Sequence, residues 1–218
     1  MGQVRGQKGP SWDVPTRRLE ELADVRTGAQ PKSSKSTKGE AEEQEARIRS
    51  LTPAALTEAG EIRPGVGDKI SASQAKGVKR LIEGDILFVY RGDAPRSFLV
   101  RASHVQQSPL VASFSLMLIR PREESEVHPA FLHWFLSCAS TRNLLTRLAV
   151  GATVARIRTQ DLRQLEVPVP PLDRQRALGQ VQTNYEAWLR GVEAERAAFE
   201  DWIGSASEAQ LNEWRAIV

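Results

Sequence analysis

The stretch from Val167 to Leu178, VPVPPLDRQRAL, sets three prolines within four residues directly before a run with helical periodicity. Proline has no backbone N–H and a fixed φ, so a helix accepts it only in its first turn. A residue that precedes proline is pushed into extended backbone. The stretch therefore predicts a rigid hinge. A compact module, residues 1–170, ends there, and a helix of defined direction begins within residues 171–218.

Beyond the hinge, the large or apolar positions are Leu178, Val181, Tyr185, Trp188, Val192, Glu195, Phe199 and Trp202. Their spacings alternate 3 and 4, which is a heptad seam with one polar member, Glu195. A helix from Asp173 to Trp202 would be about 45 Å long at 1.5 Å per residue. That exceeds what a module of this size can cover, so part of the helix is expected to project and to need a partner helix. Gly204 and Ser205 are read as its end, with Ser207 and Gln210 framing a capping box for a short last helix.

Before the hinge the pattern is mixed. Leu19, Leu22 and Val25 recur at three-residue spacing and stop at Gly28. Residues 29–50 are polar, with Lys32, Lys35 and Lys38 among serines, and read as a long loop able to order against phosphates. The run ILFVY (86–90) is a strand bounded by Gly84, Asp85 and Gly92. SFLVRA (97–102) and SPLVASFSLMLIRP (108–121) follow, with Phe114, Leu116 and Leu118 read on one face and Ser113, Ser115 and Met117 on the other. These connections are too short for parallel crossovers, so a strongly curved antiparallel sheet is expected. Helical spacing covers residues 128–149, with Pro129 in a first turn. Residues 151–170 hold a glycine turn, a short strand and one helical turn beginning at Thr159 or Asp161. The fold class is thus α+β.

Charge divides at the same place. Residues 1–176 carry 27 Lys and Arg against 20 Asp and Glu, whereas residues 177–218 carry 3 against 7. A basic module suggests a polyanionic partner. No run of about 18 apolar residues is present to span a membrane. One cysteine, Cys138, excludes an internal disulfide, reads as a small core residue and fits a reducing cytoplasm.

Catalytic patterns are missing from the sequence. His104, His128 and His133 are scattered, with no second ligand at metal spacing, so neither metal nor cofactor is expected. GEIRPGVGDKI lacks the third glycine and the helix that a dinucleotide site needs. No lysine has an acidic residue two places before it, as a metal-dependent nuclease often does. Asp85 reads as a turn residue before a strand. Binding is favoured over catalysis.

In order along the chain, GDILFVYRG (84–92), ASFSLMLIRP (112–121), PAFLHWFLSC (129–138), GATVARIRTQDLRQLEVPVPPLDRQ (151–175) and the heptad helix resemble the specificity subunit of type I restriction–modification enzymes, over roughly residues 13–202. The resemblance implies a target recognition domain, a curved and largely antiparallel sheet with small helices, joined to a long C-terminal coiled-coil helix. It implies a non-catalytic protein that reads one half of a split site in double-stranded DNA. Its paired helices would act as spacer and dock methyltransferase (modification) subunits, which restriction subunits then join. The chain departs from the family in two ways. It holds one recognition domain and one helix where a full-length member usually has two of each, and Arg174 stands where an acidic residue is common. A half-size chain must find its second helix elsewhere, and a homodimer is the simplest source.

The expected DNA contacts are Lys32, Lys35, Lys38, Lys76, Lys79, Arg80, Arg91 and Arg96. Of these, Arg91 and Arg96 are the candidates for reading bases, because RGDAPR is a short turn that would aim them. The expected dimer or partner interface is Leu178, Val181, Tyr185, Trp188, Val192, Phe199 and Trp202. The competing reading is a scaffold that binds methyltransferase or other defence-complex subunits through its helix and reads no DNA.

Overall fold

In the computed structural model, the extended segment before the prolines is one strand of a small antiparallel pair. Residues 14–29, 48–71, 75, 77–92, 94–123, 126–151 and 155–217 are described, with side chains as far as Ser205. Strand β1 (Thr16–Arg18) leads through the single helical turn α1 (Leu19–Leu22) into β2 (Ala23–Thr27). After β3 (Ile48–Leu51) and β4 (Asp68–Ile70) come β5 (Ile86–Val89), β6 (Arg96–Leu99), α2 (Ala102–Gln107), β7 (Leu110–Ala112) and β8 (Leu116–Pro121). Helices α3 (Pro129–Ser137), α4 (Ala139–Leu148) and α5 (Thr159–Arg163), strand β9 (Glu166–Pro168) and the long helix α6 (Leu172–Ile217) complete the order. Strand β9 pairs with β1, Arg17 opposite Val167, and the Val169 N–H donates to the Pro15 carbonyl at 2.8 Å. The hinge is thereby tied to the first described strand.

The central sheet has the order β2-β8-β5-β6 and is antiparallel throughout. Both of its faces are buried, which is why ILFVY reads as an unbroken apolar run. Ile86, Phe88, Met117 and Ile119 pack with Leu19, Leu22, Phe131, Leu132, Leu145 and Leu162 from the helices. Leu87, Val89, Leu116 and Leu118 pack on the other side with Leu51, Phe98, Val100 and Leu110. That side is covered by a second sheet of order β4-β3-β7, in which β3 and β7 are the one parallel pair among the named strands, so the sheets are largely antiparallel as expected. Asp85 does serve the turn before β5, its carboxylate accepting the Ile82 N–H at 2.9 Å. It is also fully buried and holds Arg120 bidentately, at 2.7 and 2.8 Å, so the turn and β8 are locked together.

Three local expectations need correction. The helical run over residues 128–149 is two helices, broken at Cys138, whose ψ of 139° is not helical. Phe114 does not share the face of Leu116 and Leu118. The turn between β7 and β8, closed by the Leu116 N–H donating to the Ser113 carbonyl at 3.0 Å, throws its ring outward. Gly204 and Ser205 do not end the long helix, which runs on unbroken to Ile217, 46 residues. Glycine in a helix interior costs only about 1 kcal/mol. The Ser205 hydroxyl donates back to the Trp202 carbonyl at 2.9 Å, and the unbroken helix leaves no new N-terminus for Ser207 and Gln210 to cap.

Candidate functional site

One end of the central sheet gathers side chains suited to nucleic acid. There β5 continues into Tyr90 and Arg91, β8 begins beyond the Ser113–Phe114–Ser115 turn, and Arg96 starts β6 opposite Val89. The Tyr90 hydroxyl donates to the Phe114 carbonyl at 2.9 Å. The Arg91 guanidinium lies 5.1 Å from the centre of the Tyr90 ring and 5.9 Å from that of Phe114. The segment around Arg156 extends this edge, since Arg156 forms bridges with both Arg91 and Val150, and the Ile157 N–H donates to the Tyr90 carbonyl at 2.9 Å. Gly92 has a φ of 101°, which lets the chain turn here without a Cβ.

The expected DNA-contacting residues do not all meet at this end. Arg91 is exposed and Arg96 half-buried, and both belong to it. Lys79 lies against β2, and Arg80 bridges to Val111 of β7. Lys79 Nζ is 3.6 Å from the Asp24 carboxylate, which also pairs with Arg26, while the Arg80 carbonyl accepts from Arg120 at 2.9 Å. Lys32, Lys35, Lys38 and Lys76 lie outside the described residues. Ala29 bridges to Ser113 beside Phe114. Cys138 is half-buried, and burial pushes its thiol up, away from nucleophilic chemistry. Among the described residues no group of three or more His, Cys, Asp or Glu could hold a metal ion. No helix among them is long and apolar enough to cross a membrane.

The second candidate surface is the long helix. Its first turns dock on the domain through a face that the heptad reading did not register. Gln175 is buried, its carbonyl oxygen accepting the His128 N–H at 2.8 Å and its amide donating to the Glu126 and Pro170 carbonyls at 3.1 and 2.8 Å. At Gly179 a Cβ would sit 2.8 Å from the Ala130 Cβ and 2.9 Å from its backbone carbon, so only glycine allows α6 this close to α3. Glu186 is also buried. It accepts from His133 Nε2 at 2.6 Å, from the Gln182 amide at 3.2 Å and from the Arg101 guanidinium, which also donates to the Gly60 carbonyl at 2.6 Å. His133 Nδ1 meets the Ser97 hydroxyl at 3.0 Å. Arg190 Nη1 donates to the Ala59 carbonyl at 2.8 Å. The docking residues Gln175, Gly179, Gln182, Glu186 and Arg190 are themselves spaced 4, 3, 4 and 4, and could have been found as a helical stripe. They are polar or side-chain-free, so a search for apolar periodicity passes over them.

Gly179, Gln182 and Glu186 each follow a heptad-seam residue by one, about 100° around the helix. Docking therefore leaves the seam to one side of the docked face, largely open to solvent. Leu178 is the exception, half-buried against the main core. Val181, Tyr185, Trp188, Val192, Phe199 and Trp202 are between 43% (Val192) and 63% (Trp202) exposed, too much for large apolar groups packed on their own domain. Tyr185 stacks on Trp188 and Phe199 on Trp202, with ring centres 6.0 and 5.9 Å apart.

The docking network makes the fold sensitive to acid. Burial pushes the Glu186 carboxyl up, but the hydrogen bond and charge of His133, the Gln182 amide and Arg101 outweigh it and hold the group below the usual carboxylate value. Burial and the Arg101 charge hold His104 below the usual histidine value. At both groups the unfolded chain binds protons more readily than the folded one, so stability must fall as pH falls. Melting temperature is expected to hold level above about pH 6.5. It should decline as pH drops from there towards the lowered His104 value, and decline again below about pH 4.3 as Glu186 takes its proton. Glu186→Gln should flatten the lower limb and, because the Glu186 charge raises His104, should leave the upper limb no shallower, which a series of thermal melts against pH would show.

The chain was compared with known proteins. The family model described as the type I restriction modification DNA specificity domain matches residues 12–197. The putative type I restriction enzyme MjaX specificity subunit of Methanocaldococcus jannaschii is 26% identical over 108 residues, 49% of this chain and 25% of that protein. The solved S subunit of a type I restriction–modification system from M. genitalium superposes with a TM-score of 0.52 at 16% identity, covering 86% of this chain and 43% of its own. The HsdS subunit from Thermoanaerobacter tengcongensis gives 0.52 at 18% identity, with coverages of 85% and 41%. A chain from a structure of complex assembly and conformational transition in the type I R-M system gives 0.50 at 21% identity, with coverages of 88% and 44%. These structural likenesses are likenesses of fold. The chain spans less than half the length of each of these proteins.

Proposed function

The chain belongs to the type I restriction–modification DNA specificity family, and from that premise we propose that it reads one half of a split DNA site, pairs with a second copy through α6, and directs methyltransferase subunits to the site. The observation that carries this reading is the exposed seam on a helix whose adjacent face is locked to the basic domain. The seam is self-complementary. If two helices pair antiparallel with facing residue numbers that sum to 387, Tyr185 meets Trp202 and Trp188 meets Phe199 on both sides of one two-fold axis. Positions a and d then face each other, as antiparallel packing brings about, and the axis falls between Glu193 and Ala194. The midpoint of the helix Leu172–Ile217, at 194.5, lies one residue from that axis, so the two helices would overlap along nearly their full length.

The same register sets a ruler. The docking residues Gln175 to Arg190 centre about 11 residues from the axis, so the two domains would be held about 33 Å apart along the helices at 1.5 Å per residue. That is about one turn of B-DNA, which puts both readers on one face of the duplex. The target should be an interrupted palindrome. In this reading the chain does no chemistry itself, and methyltransferase and restriction subunits supply it in a cytoplasmic complex.

Two measurements test the proposal. Sedimentation of the purified chain should report a dimer, and affinity for duplex DNA should fall steeply as salt rises, by about a thousandfold or more between 50 and 200 mM if six or more phosphates are contacted. Methylome sequencing of a host expressing the chain with its methyltransferase subunits should show one interrupted palindrome. A monomer with salt-independent or absent DNA affinity would overturn it.

A further inference from the structure

Phe114 is an apolar ring on the surface, 43% exposed, at the tip of the β7–β8 turn. Exposure of a single aromatic side chain needs no special cause. Its surroundings do. Its carbonyl is pinned by the Tyr90 hydroxyl, and its ring lies under the guanidinium of Arg91. The Ser113 and Ser115 hydroxyls, 2.7 Å apart, brace the turn from both sides. Among the described residues Arg91 has no carboxylate partner; aromatic faces hold it instead. A guanidinium held this way presents its N–H edge outward, and its planar fork matches the paired O6 and N7 acceptors of guanine. Holding such a side chain in place before binding removes an ordering cost that a free arginine would incur.

We propose that Arg91 and Phe114 form one rigid base-contacting pair, a reading that rests on the DNA-binding function above. The Arg91 edge donates to a guanine in the major groove, and the Phe114 ring makes apolar contact with the adjacent base. Arg156, bridged to Arg91 along the same edge and exposed, supplies a phosphate contact that fixes register and carries no sequence information.

The test is selection of duplexes from a randomised pool by the full chain, repeated with Phe114→Ala, Arg91→Lys and Arg156→Ala. Wild type should select a motif. Arg91→Lys keeps the charge and loses the fork, and should relax one guanine position in each half-site by about 5- to 150-fold. Phe114→Ala should relax the neighbouring position and leave the salt dependence as it was. Arg156→Ala should weaken all sequences alike and keep the motif. Phe114→Leu, which keeps an apolar side chain at the tip, should retain the preference at the neighbouring position in part. Phe114 is exposed, so the melting temperature of Phe114→Ala should match wild type. If wild type selects a motif and both Phe114→Ala and Arg91→Lys select the same one at equal affinity, the pairing is overturned while the DNA-reading function stands. A wild-type chain that selects nothing overturns both.

Discussion

Glu186→Ala is expected to destabilise the protein by about 3–5 kcal/mol and to loosen the first half of the long helix from the domain. The carboxylate is the common acceptor for groups from three elements: Arg101 at the start of α2, His133 on α3 and Gln182 on α6 itself. Truncation leaves a buried imidazole facing a void, and His133 cannot turn to water because its ring is only 2% exposed. Arg101 is 24% exposed and can relax towards Glu61, 3.7 Å away, which sets the expected loss in the lower part of that range. Urea denaturation should show a lower midpoint, and amide exchange should speed up from Gln175 to Arg190 before it does in the β-sheet. Glu186→Gln retains one acceptor and should lose roughly half as much. A change below about 1 kcal/mol for Glu186→Ala would mean that the apolar contacts of Leu178 and the close approach at Gly179 hold the helix without the polar network. The angle between reader and rod depends on this network. Glu186→Ala should therefore also widen the range of half-site spacings that the assembly accepts.

Much of the frame was legible because backbone chemistry imposes it. The prolines at 168, 170 and 171 could only be extended or at a helix start, and they are both, in β9 and just before α6. Met117, Leu118 and Ile119 alternate between two buried faces as period-2 geometry requires. The errors fall where a local preference met a stronger nonlocal one. Phe114 fits the alternation of β8 on paper, yet a tight turn between two serines ends the pattern one residue before Leu116. Gly204 favours a helix end only weakly, and a helix already propagated over 30 residues passes through it. The parallel pairing of β3 with β7 joins residues about sixty positions apart, a relation that short-range patterns do not encode. The surface that fixes the helix to the domain was hidden for another reason. Its members are glutamine, glycine, glutamate and arginine, residue types that look like solvated surface until their partners from α2, α3 and the 57–61 turn are known.

Trp188→Glu combined with Phe199→Glu is expected to abolish pairing of the chain and to lower its affinity for an intact two-half site by about 10²- to 10⁴-fold. In the antiparallel register the two substitutions face each other on both sides of the axis, so each side would bury two like charges where two rings had packed. Neither residue lies on the docking face, and both are exposed, so the domain should remain folded and affinity for an isolated half-site should stay near wild type. Sedimentation and binding to whole and half sites together give the result. Glu195→Leu should act in the opposite sense, replacing the one polar seam position with an apolar one that packs against Val192 of the second copy. Cross-linking decides the direction of the helices. With Cys138 replaced by serine, mixed chains carrying Tyr185→Cys or Trp202→Cys should form the 185–202 disulfide. They should not form the 185–185 one, whose ends would stand about 25 Å apart along the axis. A 185–185 bridge would mean parallel helices, with both readers at one end of the rod and no one-turn spacing between their half-sites.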